Sequence, residues 1–142
     1  MASAMFAPGK ILLLREKAQA VVVDINGANP VVTPTAPLSQ VRRYANATVL
    51  ADGKVFINGG SFAGDAVPGA IYSAEIWDPK TGKWASGASA AMPRLYHSAS
   101  LLPPDGSVLT AGGTTADVGW LNAEIYFPPY LYKTDGSGQL AP

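Results

Sequence analysis

The sequence predicts an all-β fold of repeated four-stranded sheets arranged as a partial β-propeller, with two clear blades and part of a third. Three observations carry that expectation. A block of residues recurs about fifty positions further on. Each copy holds two apolar runs joined by Asp-Gly, a pair whose readiness for positive φ suits tight hairpin turns. The 142 residues include 15 Gly and 12 Pro, a composition that fits short strands and turns and offers no convincing helix.

The repeat is read most clearly in two segments. Arg42-Arg43-Tyr44-Ala45-Asn46-Ala47-Thr48-Val49-Leu50, followed by Asp52-Gly53-Lys54-Val55-Phe56-Ile57-Asn58-Gly59-Gly60, matches Arg94-Leu95-Tyr96-His97-Ser98-Ala99-Ser100-Leu101-Leu102, followed by Asp105 to Gly113. In this alignment Ala45 falls where His97 sits. A further strand follows each, Ser73 to Pro79 and Asn122 to Pro128. The arginines stand 52 apart and the glutamates, Glu75 and Glu124, 49 apart, the period of a kelch-type blade. The Gly-Gly pair ends each hairpin where a side chain would not fit. Asp78-Pro79-Lys80-Thr81-Gly82 turns the first complete copy into a fourth strand around Trp84.

The opening of the chain reads as a degenerate copy. Gly9 to Leu14 echoes Gly53 to Phe56, and Ala20 to Asp24 echoes Ala74 to Asp78. Its first strand is expected to be missing, and Asn26 to Ser39, with three prolines, is expected to be an inter-blade loop. The resulting division is a degenerate partial blade and linker at 1–39, a kelch blade at 40–92, a last blade at 93–132, and the start of a linker to a missing C-terminal domain at 133–142. Propellers close with about four to eight blades. Fewer than three blades therefore imply a piece of a longer protein, or a subunit that completes its ring with other copies.

Composition excludes several function classes. Hydrophobic residues are 48% and charged residues 14%, so the chain can build a core. Ten basic residues balance ten acidic ones with no basic cluster, which argues against nucleic acid or an anionic membrane as partner. There is no cysteine, so no disulfide and no thiolate chemistry. No apolar run reaches the ~20 residues of a membrane helix, and Met1 to Pro8 lacks the pattern of a signal peptide. Gly59-Gly60 and Gly112-Gly113 lack the Gly-Lys-Ser/Thr ending of a phosphate loop.

A narrower signal lies in Pro93-Arg94-Leu95-Tyr96-His97-Ser98-Ala99-Ser100-Leu101-Leu102-Pro103-Pro104-Asp105-Gly106, followed by Asn122-Ala123-Glu124-Ile125-Tyr126-Phe127-Pro128-Pro129-Tyr130-Leu131-Tyr132. This combination resembles the last blade of the galactose oxidase and glyoxal oxidase-like copper radical oxidases. The resemblance implies oxidation of a primary alcohol or aldehyde, with O2 reduced to H2O2, in a secreted parent protein. It also implies that Tyr96 is an axial copper ligand accepting the substrate's hydroxyl proton, and that His97 is an equatorial copper ligand. Cu(II) favours such tetragonal nitrogen and oxygen donors. The Pro-Tyr-Leu segment would lead into a C-terminal β-sandwich.

The family's crosslinked Cys-Tyr radical cofactor cannot form within this chain, and His97 is its single histidine. The chain alone is therefore expected to be inactive. For Tyr96 and His97 to reach one metal, a loop or bulge must break the alternation of a regular strand. Arg42 and Arg94 are expected to hold Glu75 and Glu124 or backbone carbonyls. Tyr44, Trp77 and Trp84 are expected to serve packing, and so is Trp120, though its loop (114–121) could bring it to a ligand. His97 also has a purely structural reading, as a kelch histidine bonding backbone near the axis. The alternative function is a non-catalytic kelch scaffold that binds proteins through its loops; a third is ring closure by self-assembly. The implied partners are the remainder of the propeller, or further copies, and a carbohydrate or other small alcohol or aldehyde.

Overall fold

A computed structural model describes residues 1–141; the last residue of the expected 133–142 linker, Pro142, lies outside the described residues. Eleven strands form three antiparallel sheets, each running in chain order from its first strand outward. The first sheet holds β1 (Ser3–Ala7), β2 (Lys10–Leu14), β3 (Ala20–Asp24) and β4 (Val31–Thr35). The second holds β5 (Arg43–Val49), β6 (Val55–Ser61), β7 (Ser73–Asp78) and β8 (Lys83–Ser89). The third holds β9 (Tyr96–Leu101), β10 (Val108–Thr114) and β11 (Ala123–Tyr126). Among the described residues the helical pieces are two 3₁₀ turns, Val67–Gly69 and Pro129–Leu131. No helix there is long and apolar enough to cross a membrane.

The first strands β1, β5 and β9 lie beside one another, so the sheets fan out from a shared inner line as propeller blades do. Side-chain alternation builds the layers between them. Leu12 and Leu14 of β2 meet Val55 and Ile57 of β6 and Trp77 of β7, forming the core between the first and second sheets. The opposite face of the second sheet offers Phe56, Ala74 and Ile76 to Val108 of the third.

Two expectations about the opening segment need correction. The first sheet has its own first strand, and it is not a partial blade. β1 pairs with β2 through Ser3↔Leu13 and Ala4↔Leu12, behind a turn at Gly9, whose φ is +69°. The stretch read as a loop contains β4, paired with β3 from Ala20↔Thr35 to Asp24↔Val31. Pro34 sits within β4 at no cost to the ladder because β4 is an outer edge strand, where a missing N–H is tolerated. The incomplete sheet is instead the third, which has three strands.

The repeat also needs re-registering. The sequence alignment places Leu50 on Leu102 and assigns the extra residue to Pro103-Pro104. In the structure the two hairpin turns are equal in length, closed by Thr48↔Phe56 in one sheet and Leu101↔Leu109 in the other. The extra residue lies between Arg94 and the strand that follows it. Tyr44, rather than Ala45, therefore occupies the backbone position of His97.

Candidate functional site

The site begins with an arginine clamp at the entry to each blade. Arg42 is buried and donates from Nε to Glu75 Oε2 (2.8 Å), from Nη1 to Gly59 O (3.1 Å) and from Nη2 to Ser73 O (2.7 Å). Arg94 reaches the matching partners through different nitrogens, donating from Nη1 to Gly112 O (2.9 Å) and Asn122 O (3.1 Å) and from Nη2 to Glu124 Oε2 (2.9 Å), while its buried Nε has no partner among the described residues. Both ion pairs expected from the sequence form. Burial pulls the Arg42 guanidinium below its ordinary pKa, and Glu75 partly offsets that pull.

From Arg94 the chain is pinned by Leu95, which is 1% exposed, and by a short turn in which Ser98 N and Oγ both donate to Leu95 O. His97 then takes a left-handed conformation, φ +60°, as Tyr44 does in the second sheet at φ +61°. Each faces a glycine that is also left-handed: Gly60 (φ +83°) across from Tyr44, and Gly113 (φ +113°) across from His97. A Cβ on Gly113 would sit 3.2 Å from Leu95 N and 3.5 Å from the Trp120 ring. Trp120 is buried beneath this turn and donates its backbone N–H to Gly113 O. It supports the backbone there.

The left-handed residue breaks the alternation that would send Tyr96 and His97 to opposite sides. Their rings stack with centroids 3.9 Å apart and planes at 28°. Tyr44 reaches across from the neighbouring blade and meets Tyr96 edge-on at 5.3 Å. Tyr44 and Tyr96 are 40% and 48% exposed, and His97 is exposed too. The result is an accessible aromatic cluster at one end of the inner strands. Asp65 Oδ1 accepts from Tyr96 N at 3.4 Å. The sequence alone points Tyr44 to packing; counting the register back from Gly-Gly instead of forward from the arginine places it at the position equivalent to His97.

As a donor set, one phenol and one imidazole suit Cu(II) in kind, and they supply two of the positions a tetragonal ion fills. Among the described residues no group of three or more His, Cys, Asp or Glu is placed to hold a metal. The remaining donors would have to come from elsewhere.

The Kelch motif family model matches residues 42–90. Galactose oxidase of Gibberella zeae is 34% identical over 103 residues, which are 68% of this chain and 15% of that protein. Spermatocyte protein spe-26 of Caenorhabditis elegans is 29% identical over 94 residues, covering 64% of this chain and 16% of its own length. Among solved structures, a copper-bound fungal alcohol oxidase of the AA5 family superposes with a TM-score of 0.87 at 25% identity, over 99% of this chain and 33% of its own. The protein YjhT, 18% identical, matches with a TM-score of 0.64 over 82% of this chain and 34% of its own, a likeness of fold alone. The chain thus spans a small part of the relatives it resembles.

Proposed function

We propose, from the premise that this chain is built of galactose oxidase-like kelch blades, that it supplies one half of a copper site in an alcohol or aldehyde oxidase. Tyr96 and His97 would hold the ion, and the stacked placement of their rings on one side of β9 is the observation that carries the reading. Bound copper would supply the redox chemistry of the overall reaction, RCH2OH + O2 giving RCHO + H2O2. The chain's own part is more limited. Tyr96 would present its phenol oxygen to the substrate hydroxyl as a local base. His97 would offer neutral imidazole, and Tyr44 would brace the Tyr96 ring.

Two donors do not complete the site, so the 142-residue chain is inactive alone, and its activity belongs to an assembly with more propeller. The open faces are suited to such an assembly. Met5 and Val32 of the first sheet and Leu101 and Ile125 of the third are each about half exposed or more, leaving apolar surface where further blades would pack. The proposal also takes the parent protein to be extracellular.

The test is Cu(II) titration followed by electron paramagnetic resonance. The expected spectrum shows imidazole nitrogen coupling that disappears in His97→Ala and a changed ligand field in Tyr96→Phe. Peroxide production on galactose, glyoxal or glycerol should not exceed the Tyr96→Phe control. Binding unaffected by either substitution would remove the copper reading and leave the non-catalytic scaffold in its place.

A further inference from the structure

The two seams between the sheets are built from matched positions with opposite chemistry. In the strand register, Ser98, Ser100 and Thr110 of the third sheet fall on Ala45, Ala47 and Ile57 of the second. Those three face the first sheet and pack in the apolar core with Leu12 and Leu14. Their counterparts face the second sheet, and each carries a hydroxyl that a side chain of β5 or β6 meets. Asn46 Nδ2 donates to Ser98 Oγ (2.8 Å), Thr48 Oγ1 to Ser100 Oγ (2.9 Å) and Asn58 Nδ2 to Thr110 Oγ1 (2.8 Å).

The rung at Ser98 differs from the other two because it continues into the site. Ser98 Oγ donates to Leu95 O (2.7 Å), the carbonyl that also accepts from Ser98 N (3.1 Å). The turn closed by these bonds contains Tyr96 and His97, and it holds His97 at φ +60°. A left-handed residue with a side chain persists only where its surroundings over-determine it. A serine hydroxyl has one proton and two lone pairs. With the proton committed to Leu95 O, the oxygen can accept only from a donor across the seam, and the Asn46 amide is that donor. The second sheet has no such chain, since Ala45 stands where Ser98 does. Asn46 lies two residues beyond Tyr44 on β5. One strand thus supplies both the ring that meets Tyr96 and the amide that reaches its turn.

We infer that Asn46 is a positioning residue for the Tyr96–His97 pair: through Ser98 it locks the Leu95–Ser98 turn from the neighbouring blade and keeps the two rings on one side. It acts through Ser98 and not on the ion or the substrate. The inference rests on the reading of Tyr96 and His97 as the site, and its test begins without metal so that the two can fail separately.

Asn46→Ala removes the donor. Thr48→Val removes the next rung of the same seam and is the control for a merely structural loss. In the metal-free chain, Asn46→Ala should weaken the Tyr96–His97 ring-to-ring nuclear Overhauser cross-peaks at least threefold and move the His97 backbone coupling toward that of an extended strand. Thr48→Val should leave both unchanged. If Asn46→Ala does not fold, Asn46→Asp poses the same question at equal size. Its carboxylate accepts the Ser98 proton, frees Leu95 O and should weaken the same cross-peaks. Unchanged cross-peaks in a folded Asn46 variant, or equal weakening in Thr48→Val, would overturn the inference. With Cu(II) added, Asn46→Ala should alter the imidazole coupling while Thr48→Val keeps the parent spectrum. A parent chain that binds no copper would end the copper reading and leave the metal-free cross-peaks to decide the role of Asn46.

Discussion

The second and third sheets start from the same arginine clamp and reach the same glycine pair, yet one residue separates them. In the second, Arg43 lies between Arg42 and the left-handed Tyr44; in the third, Leu95 and Tyr96 lie between Arg94 and the left-handed His97. The clamp is architecture and is kept. The added residue is absorbed at the entry to β9, and it delivers a second ring beside the one that the left-handed position already aims. A repeat can thus keep the partners of its clamp while changing what it displays.

The comparison breaks most severely at the clamps. Arg42 and Glu75 side chains are 0% and 7% exposed, so Arg42→Ala strands a buried carboxylate, and urea denaturation should show a loss of about 3–5 kcal/mol. Glu124 is 28% exposed and can be rehydrated. Arg94→Ala should therefore cost at least about 1 kcal/mol less than Arg42→Ala. Equal losses would mean that the two clamps are not graded by burial.

A smaller effect sharpens the role of the left-handed position. Asparagine tolerates that conformation and β-branched residues do not. His97→Val should lose about 1–2 kcal/mol of stability, whereas His97→Asn should stay within about 0.5 kcal/mol of the parent chain. Equivalent results for both would place His97 in ordinary extended backbone.

The smallest effect separates the two inter-sheet layers by pH. The first is sealed by the indoles of Trp77 and Trp84, which do not titrate. The second uses Tyr126 and Tyr130, whose phenol pKa values are raised chiefly by burial. These phenols hold their protons more tightly folded than unfolded. Their contribution is therefore intact below the ordinary tyrosine value of about 10 and declines as pH rises through the raised values. Amide exchange around Phe56 and Val108 should accelerate above pH 10 before exchange around Leu12 and Leu14 does.

Much of this was legible in the sequence because it rests on local chemistry. Asp52-Gly53 and Asp105-Gly106 announce hairpins, and the recurrence of Arg42 and Glu75 as Arg94 and Glu124 announces the clamps. β1 and β4 were not legible. Pro34 reads as a loop signal unless its strand is known to lie at an outer edge, which is a property of the assembled sheet. The pairing of Tyr44 with Tyr96 was hidden for a related reason. Sequence alignment favoured a gap at Pro103-Pro104, a turn-like place, and only the strand register shows that the hairpins are equal and that the extra residue precedes β9. The adjacency of Tyr96 and His97 could be named in advance; their neighbour from the next blade, Tyr44, required the fan of sheets.

The central claim is that a left-handed His97 turns two successive side chains onto one side. Ring-to-ring nuclear Overhauser contacts measure it directly in the 142-residue chain. Strong cross-peaks between the Tyr96 and His97 rings, with weaker ones from Tyr96 to Tyr44, are the expected result. Their absence, with His97 showing the coupling constant of an extended strand, would contradict the account.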